Sequence, residues 1–352
     1  MLRGPLSLRP GFAIGLACFF LAVFVLVPIL IEATGRSDLY YTLSSVALLS
    51  IGSAGVWLTF YIGRINIGQG AYALAGGYVS AILVAKHDVS FWIALPLAGL
   101  FCAGLSVLIG LPILRLRGVY FAMVTLVLTE VAKQSALALP ITNGAKGITS
   151  IPSPVDSKLA SYFMAAVLMT LCFAGMYRLV NSRIGHICRS LQQNEELASS
   201  IGVNVARLRI IAYAISSFLG GITGASFVVL SKSIYPSTFV VKDSIDFMLN
   251  CFLGGLGYVF GPMLGTLVLY FGWDLLYVTV PYQLLIYASV LILLMLTLPN
   301  GLLSLRLPSR AEVHRTLRML AEYPRLLSLR IGGRAKEPGN RIRKGGGNGT
   351  GS

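Results

Sequence analysis

The residues in this sequence whose types could do chemistry fall into a few groups. Glu130 and Lys133 stand three apart inside an apolar run. At that spacing they can neutralise each other or relay a proton or charged substrate, and the spacing favours the pair. Asp246 heads a later apolar segment, where a carboxylate either caps a helix or meets a passing cation. The basic island at residues 178–209 holds Arg183, Arg189, Arg207 and Arg209 beside Glu195 and Glu196. Its chemistry is ion pairing with acidic groups on a soluble partner. Catalytic chemistry finds no footing. His87, His186 and His314 have no carboxylate or cysteine at ligand spacing. No Ser/His/Asp arrangement or Gly-x-Ser-x-Gly occurs. Cys18, Cys102, Cys172, Cys188 and Cys251 show neither metal nor disulfide spacing. The reading is therefore no enzyme, no metal and no cofactor bound by this chain.

The elements that must position these residues are membrane helices. The 352 residues are 56% hydrophobic and only 12% charged, where soluble domains carry about 25%. The fold expected is all-α, a polytopic helical membrane protein. Spans of roughly 20 apolar residues are expected at 12–31, 39–62, 67–85, 91–114, 119–139, 159–177, 208–230 and 282–298. No cleavable signal peptide is evident. The net charge of +15 concentrates in 178–209 and after Pro299. The positive-inside rule accounts for it better than nucleic-acid binding does. By that rule Arg3, Arg9, Arg64, Arg115, Arg117 and the island lie in the cytoplasm. The assignment of sides fails if residues 245–271 cross once. Gly254, Gly255 and Gly257 with Gly261-Pro262 suit a turn there, so the segment is expected to go in and come back as two short helices. That gives about ten membrane segments with both termini cytoplasmic. The membrane domain is 1–300, its cytoplasmic loop 178–209. The basic tail, 301–352, is expected to be partly disordered and cytoplasmic. Val313, Leu317, Leu320 and Ala321 recur in it at helical spacing, which suits either a helix on anionic lipid or a solvated tail. Residues 39–85 and 245–271 are each an apolar pair around a Gly-rich turn. They read equally as an internal repeat or as the glycine usage of packed membrane helices.

In the island, a short helix can offer small residues (Ala198, Ser199, Ser200) for close approach, and Gly202 can end it in the left-handed conformation. Glu196, Ala198 and Gly202 resemble the E-A-A-x-x-x-G coupling motif of ABC importer permeases, with Leu197 in place of the first Ala. The match widens along the chain. Asn66-Ile-Gly-Gln-Gly-Ala-Tyr72 is similar to N-L-G-Q-x-A-F/Y. Arg117-Gly-Val-Tyr-Phe-Ala-Met-Val-Thr125 is similar to R-G-x-Y-F-A-x-x-T. Thr142-Asn-Gly-Ala-Lys-Gly-Ile148 is similar to T-G-G-x-x-G-I, with Asn143 replacing the first Gly. Ser182-Arg-Ile-Gly185, Tyr235-Pro236 and the run from Gly254 to Gly265 follow in order. Together they resemble the LivM-type permeases of branched-chain amino acid ABC importers. One departure stands out: a family-typical R-E-D-E run is here Gln192-Gln-Asn-Glu-Glu196.

The resemblance implies a bacterial inner-membrane subunit. It would translocate branched-chain or related neutral amino acids beside a second homologous permease. Two ATPase subunits carrying ATP-Mg would bind its cytoplasmic face, and a periplasmic binding protein would deliver substrate. The sequence holds no G-x-x-x-x-G-K-[ST] loop, so ATP hydrolysis falls to another chain. Coupling falls to Arg183, Gly185, Glu195, Glu196, Ala198 and Gly202. Candidates for the translocation path are Asn66, Gly68, Gln69, Gly70, Tyr120, Thr125, Gly254, Gly255 and Gly257. For Asn66 and Gln69, hydrogen bonding between helices is an equal reading. The alternatives are a sugar-type ABC permease and an ATPase-independent channel or carrier. The latter needs intramembrane carboxylates along a path, for which only Glu130 and Asp246 qualify.

Overall fold

The computed structural model describes residues 38–275 except 117, 156, 194 and 201, then 301–304 and the single positions 28, 32, 289 and 292. These lie in one compact unit, Met1–Ser304. The expected spans at 12–31 and 282–298, and the tail from 305, lie outside the described residues apart from those single positions.

The apolar runs fold as helices α1 (Asp38–Tyr61), α2 (Gln69–Lys86), α3 (Phe91–Ile113), α4 (Val119–Ala138), α5 (Lys158–Val180) and α8 (Val205–Ser231). Two short helices, α6 (Arg183–Gln193) and α7 (Glu195–Ser200), occupy the polar loop. Helices α1, α3, α4, α5 and α8 are each long and apolar enough to cross a membrane. The chain is a multi-pass membrane protein. The end of the bundle that carries the polar loop is its basic end.

Residues 245–271 do not form one helix. They split into α9 (Val241–Gly254) and α10 (Gly261–Leu275), the broken pair expected from Gly254, Gly255 and Gly257. The two pack antiparallel with their backbones touching. A Cβ on Gly254 would overlap the Gly261 carbonyl, and one on Gly265 the Asn250 carbonyl. Gly255 turns the chain at φ +110°. Trp57 Nε1 donates to the Leu256 carbonyl at 2.9 Å, and Phe60 packs edge-on against Phe252. The α9–α10 turn therefore sits beside the end of α1. The α1–α2 turn is at that same end: Gln192 Nε2 donates to the Phe60 carbonyl at 3.2 Å. Both helix pairs thus turn at the basic end. They differ in packing. Helices α9 and α10 lie against each other, whereas α8 packs broadly on both α1 and α2.

At the opposite end the all-α expectation needs one small amendment. Residues Ile148–Thr149 and Ser233–Ile234 pair as two short antiparallel strands, β1 and β2. The segment Thr142–Ile148 builds this cap. Thr142 Oγ1 donates to the Ala136 and Leu139 carbonyls, both at 2.6 Å, and closes the end of α4. Asn143 stands where the resembled segment has Gly and adopts φ +61°, a conformation Asn tolerates better than most residues. Gly147, at φ +64°, lets the strand approach the Ile234 carbonyl.

Helix α1 forms the centre, with 89% of its apolar window buried. Between helices in lipid there is no hydrophobic gain, so packing and hydrogen bonds must hold them. Ser53 serves three contacts at once. Asn250 Nδ2 donates to its Oγ at 2.9 Å, its Oγ lies 3.3 Å from Thr266 Oγ1, and Cys251 Sγ approaches its carbonyl at 3.1 Å.

Candidate functional site

The polar loop is a structured module. Ser182 turns the chain out of α5: its Oγ donates to the Leu179 carbonyl at 2.6 Å and accepts from Gly185 N–H at 3.4 Å. A Cβ at Gly185 would overlap the Val180 carbonyl, so this sharp entry into α6 needs glycine. Gly185, Cys188 and Leu191 recur every three residues and form the buried face of α6. That face rests in an apolar cleft between the ends of α1, α5 and α8, lined by Leu58, Leu179, Ile211 and Ile215 among others. Burial pushes the Cys188 thiol up to about 11, so it sits in the seat as a neutral, apolar group. Arg183, His186 and Ile187 are exposed, and Ile184 lies at the rim of the cleft.

Helix α7 ends on a complete left-handed cap. Gly202 adopts φ +85°, its N–H donates to the Ser199 carbonyl at 3.0 Å, and Val203 N–H donates to the Ala198 carbonyl at 3.2 Å. This is the two-bond arrangement by which glycine closes a helix. The helical period divides the remaining residues. Glu196, Ser199 and Ser200 are exposed, while Ala198 is 2% exposed and faces this chain. The expectation that Ala198 offers its small surface to a partner is therefore corrected: it contributes to internal packing, and the two serines take the outer face. Arg209 departs from expectation too. Rather than pairing with acids on a partner, it is bound bidentately to Glu195, with Nη1–Oε1 at 2.9 Å and Nη2–Oε2 at 2.7 Å.

A second cluster lies deeper in the bundle. Asn66 Oδ1 accepts from Gly68 N–H at 2.9 Å, an Asx turn that opens α2. Asn66 Nδ2 reaches Gln69 Oε1 at 3.4 Å. Gln69 Nε2 donates to the Ser216 carbonyl at 2.9 Å, and Ser216 Oγ donates back to Gln69 Oε1 at 3.3 Å. Ile67 N–H donates to Thr125 Oγ1 at 3.1 Å. Gly70 N–H donates to Ser244 Oγ at 3.0 Å, which also lies 3.0 Å from Thr129 Oγ1. Asn66, Gln69, Thr125, Thr129, Ser216 and Ser244 are all fully buried. The cluster joins α2, α4, α8 and α9 into one knot. Gly68 and Gly70 allow it, because a Cβ on either would overlap the Thr125 carbonyl or Ser244 Oγ.

The family described as "Branched-chain amino acid transport system / permease component" matches residues 39–298. That range takes in the knot, the polar loop and the broken helix pair. The chain belongs to this permease family. It is 28% identical over 276 residues to the high-affinity branched-chain amino acid transport system permease protein LivM of Escherichia coli (strain K12), covering 70% of this chain and 65% of LivM. The permease protein LivH of Salmonella typhimurium matches at 24%, covering 74% of this chain and 91% of LivH. The ribose import permease protein RbsC of Escherichia coli (strain K12) matches at 25%, covering 74% and 85%. The chain thus spans just under two thirds of LivM. No solved structure matches it.

The other predicted residues of this permease are scattered. Asn66, Gly68, Gln69, Gly70 and Thr125 converge in the knot. Tyr120 does not join them; it is 73% exposed on the outer face of α4. Gly254, Gly255 and Gly257 lie apart, at the α9–α10 turn. Glu130 and Lys133 form the pair their spacing favours, with Nζ–Oε1 at 3.2 Å, and Gln134 Nε2 donates to the same oxygen at 2.8 Å. Asp246 does not cap α9. Asp243 does, accepting from Val240 N–H at 2.7 Å, and Asp246 lies 3.7 Å from Lys242 one turn earlier. Among the described residues no group of His, Cys, Asp or Glu is arranged to hold a metal ion. Sequence reasoning missed Ser216, Thr129, Ser244 and the inward role of Arg209. For Ser216 the available signal was the run of small residues at helical spacing along α8, Ser216, Gly220 and Gly224.

Proposed function

We propose that this chain is the membrane-spanning permease subunit of an ATP-driven ABC importer for branched-chain or related neutral amino acids. It sits in the bacterial inner membrane with the polar loop and both termini in the cytoplasm and about ten membrane segments. A second homologous permease completes the path, two ATPase subunits dock on the cytoplasmic face, and a periplasmic binding protein supplies substrate. ATP-Mg is bound by the ATPases. The observation that carries this reading is the folded α6–α7 module. It is seated on three spans, closed by Gly202, and presents Arg183, Glu196, Ser199 and Ser200 outward. The names of LivM and LivH support amino acids as cargo. The similarity to RbsC favours a sugar-type permease as the second reading, and competitive uptake of leucine and ribose separates the two.

The test is co-expression with the cognate permease and ATPase, purifying through this chain. Gly202→Arg places a bulky cation at a left-handed position and should abolish ATPase recovery. Gly202→Asn tolerates that conformation and should retain it. An ATPase that never binds, or binds regardless of residue 202, overturns the assignment and leaves a partner-independent carrier. A cysteine at position 310 labelled only from outside would sink the topology.

A further inference from the structure

The linker from α7 to α8 contains Gly202 at φ +85°. It is exposed, and a Cβ added there would meet nothing within 4 Å. Turns of this kind absorb backbone rotation. The backbone hydrogen bonds of Gly202 and Val203 run back to α7 and none runs to α8, so through the chain alone α6–α7 reaches α8 only across this turn. Yet α7 and α8 are bridged across that turn. Arg209, on the second turn of α8, is 8% exposed and spends both terminal nitrogens on the Glu195 carboxylate. A bidentate guanidinium–carboxylate fork fixes orientation as well as distance. Further along α8, Ser216 holds Gln69 at the head of the buried knot. The loop's two adjacent carboxylates therefore do different things. Glu195 is bound inward while Glu196 is exposed.

We propose that the Arg209–Glu195 pair is the latch that carries movement of the docked loop past the Gly202 turn into α8, and so to the knot at Gln69. Arg209 is a positioning residue: it acts through α8 and touches neither cargo nor nucleotide. The inference rests on the reading of α6–α7 as the ATPase dock, and the experiment separates the two.

The complex with its ATPase is purified carrying wild-type chain, Arg209→Gln, Glu195→Gln, or the exchange Arg209→Glu with Glu195→Arg. Two quantities are read: ATPase recovered, and the change in amide hydrogen exchange across residues 205–220 when ATP-Mg is trapped with vanadate. Arg209→Gln should recover the ATPase and keep the exchange response of the loop. Its response in α8 should fall about five-fold or more, the loss expected when a typical coupling free energy is removed. The exchanged pair should restore most of that response, which a purely local packing role for Arg209 does not predict. An undiminished α8 response in Arg209→Gln overturns the latch, as does an exchanged pair that restores nothing. Loss of the ATPase in the single variants alone assigns the pair to shaping the dock and also overturns it. If the wild-type chain recovers no ATPase, the docking reading fails first and the latch with it. A thermal midpoint for each complex identifies a variant that has merely unfolded. Arg209→Lys then stands in for Arg209→Gln, keeping the charge without the fork, and an α8 response equal to wild type in it overturns the latch.

Discussion

Helices α8 and α4 are both apolar and both long enough to span a membrane, yet 67% of the apolar window of α8 is buried against 28% of that of α4. Hydropathy does not separate them; residue size does. Helix α8 carries Ser216, Ser217, Gly220, Gly221, Thr223, Gly224 and Ser226, all buried, and packs on α1, α2 and α3. Helix α4 turns Tyr120, Met123, Val127 and Val131 outward, each more than half exposed. Only its opposite face, with Thr125 and Thr129, enters the knot. Where lipid is as apolar as Leu, large side chains gain nothing from leaving it, whereas small ones permit backbone contact and hydrogen bonds. A helix of small polar residues becomes the hub, and one of large apolar residues becomes the rim.

The sharpest way to break this comparison is Gly224→Leu. Any Cβ there overlaps the Ala73 carbonyl of α2, and backbone cannot swing aside as a side chain can. The variant should lose about 3 kcal/mol or more, read as a thermal midpoint in detergent. Near-wild-type stability would mean that α2 and α8 do not pack as described. Gln69→Leu should come next, at about 2 kcal/mol. It leaves the Ser216 carbonyl and Asn66 amide short of a buried partner, and denaturation of the purified protein measures it. A double-mutant cycle of Thr129→Val with Ser244→Ala should return a coupling of about 0.6–1 kcal/mol, the usual yield of an interhelical hydrogen bond in a membrane. Zero coupling would detach α4 from the knot. Val127→Ala on the rim should change stability by less than about 0.5 kcal/mol. A larger loss would show that a partner covers that face.

Much of the fold is legible in the sequence. The expected spans at 91–114 and 119–139 end within a residue of α3 and α4, because uninterrupted apolar length fixes a helix that must satisfy its own backbone. The break at Gly254–Gly261 follows from the distribution of charge together with glycine and proline. In the loop, the left-handed Gly202 is legible because a local turn is encoded locally. The direction of Ala198 is not, since the face of a six-residue helix that turns inward depends on what lies beneath it. The same limit hides Asp243 behind Asp246 as the cap of α9: the helix starts a few residues before the apolar run, where the Val240 N–H needs an acceptor.

The sequence by itself determined that this is a helical membrane protein, where most of its helices begin and end, and which loop is polar enough to meet a soluble partner. These follow from hydropathy, charge and turn chemistry within a few residues. Only the tertiary structure decided that Gln69 meets Ser216 across 147 positions and that Ser244 meets Thr129 across 115. Only it decided that Arg209 is bound by Glu195. A buried amide or guanidinium must find some partner, but which partner depends on the approach of helices whose small residues allow many approaches, and packing selects one of them.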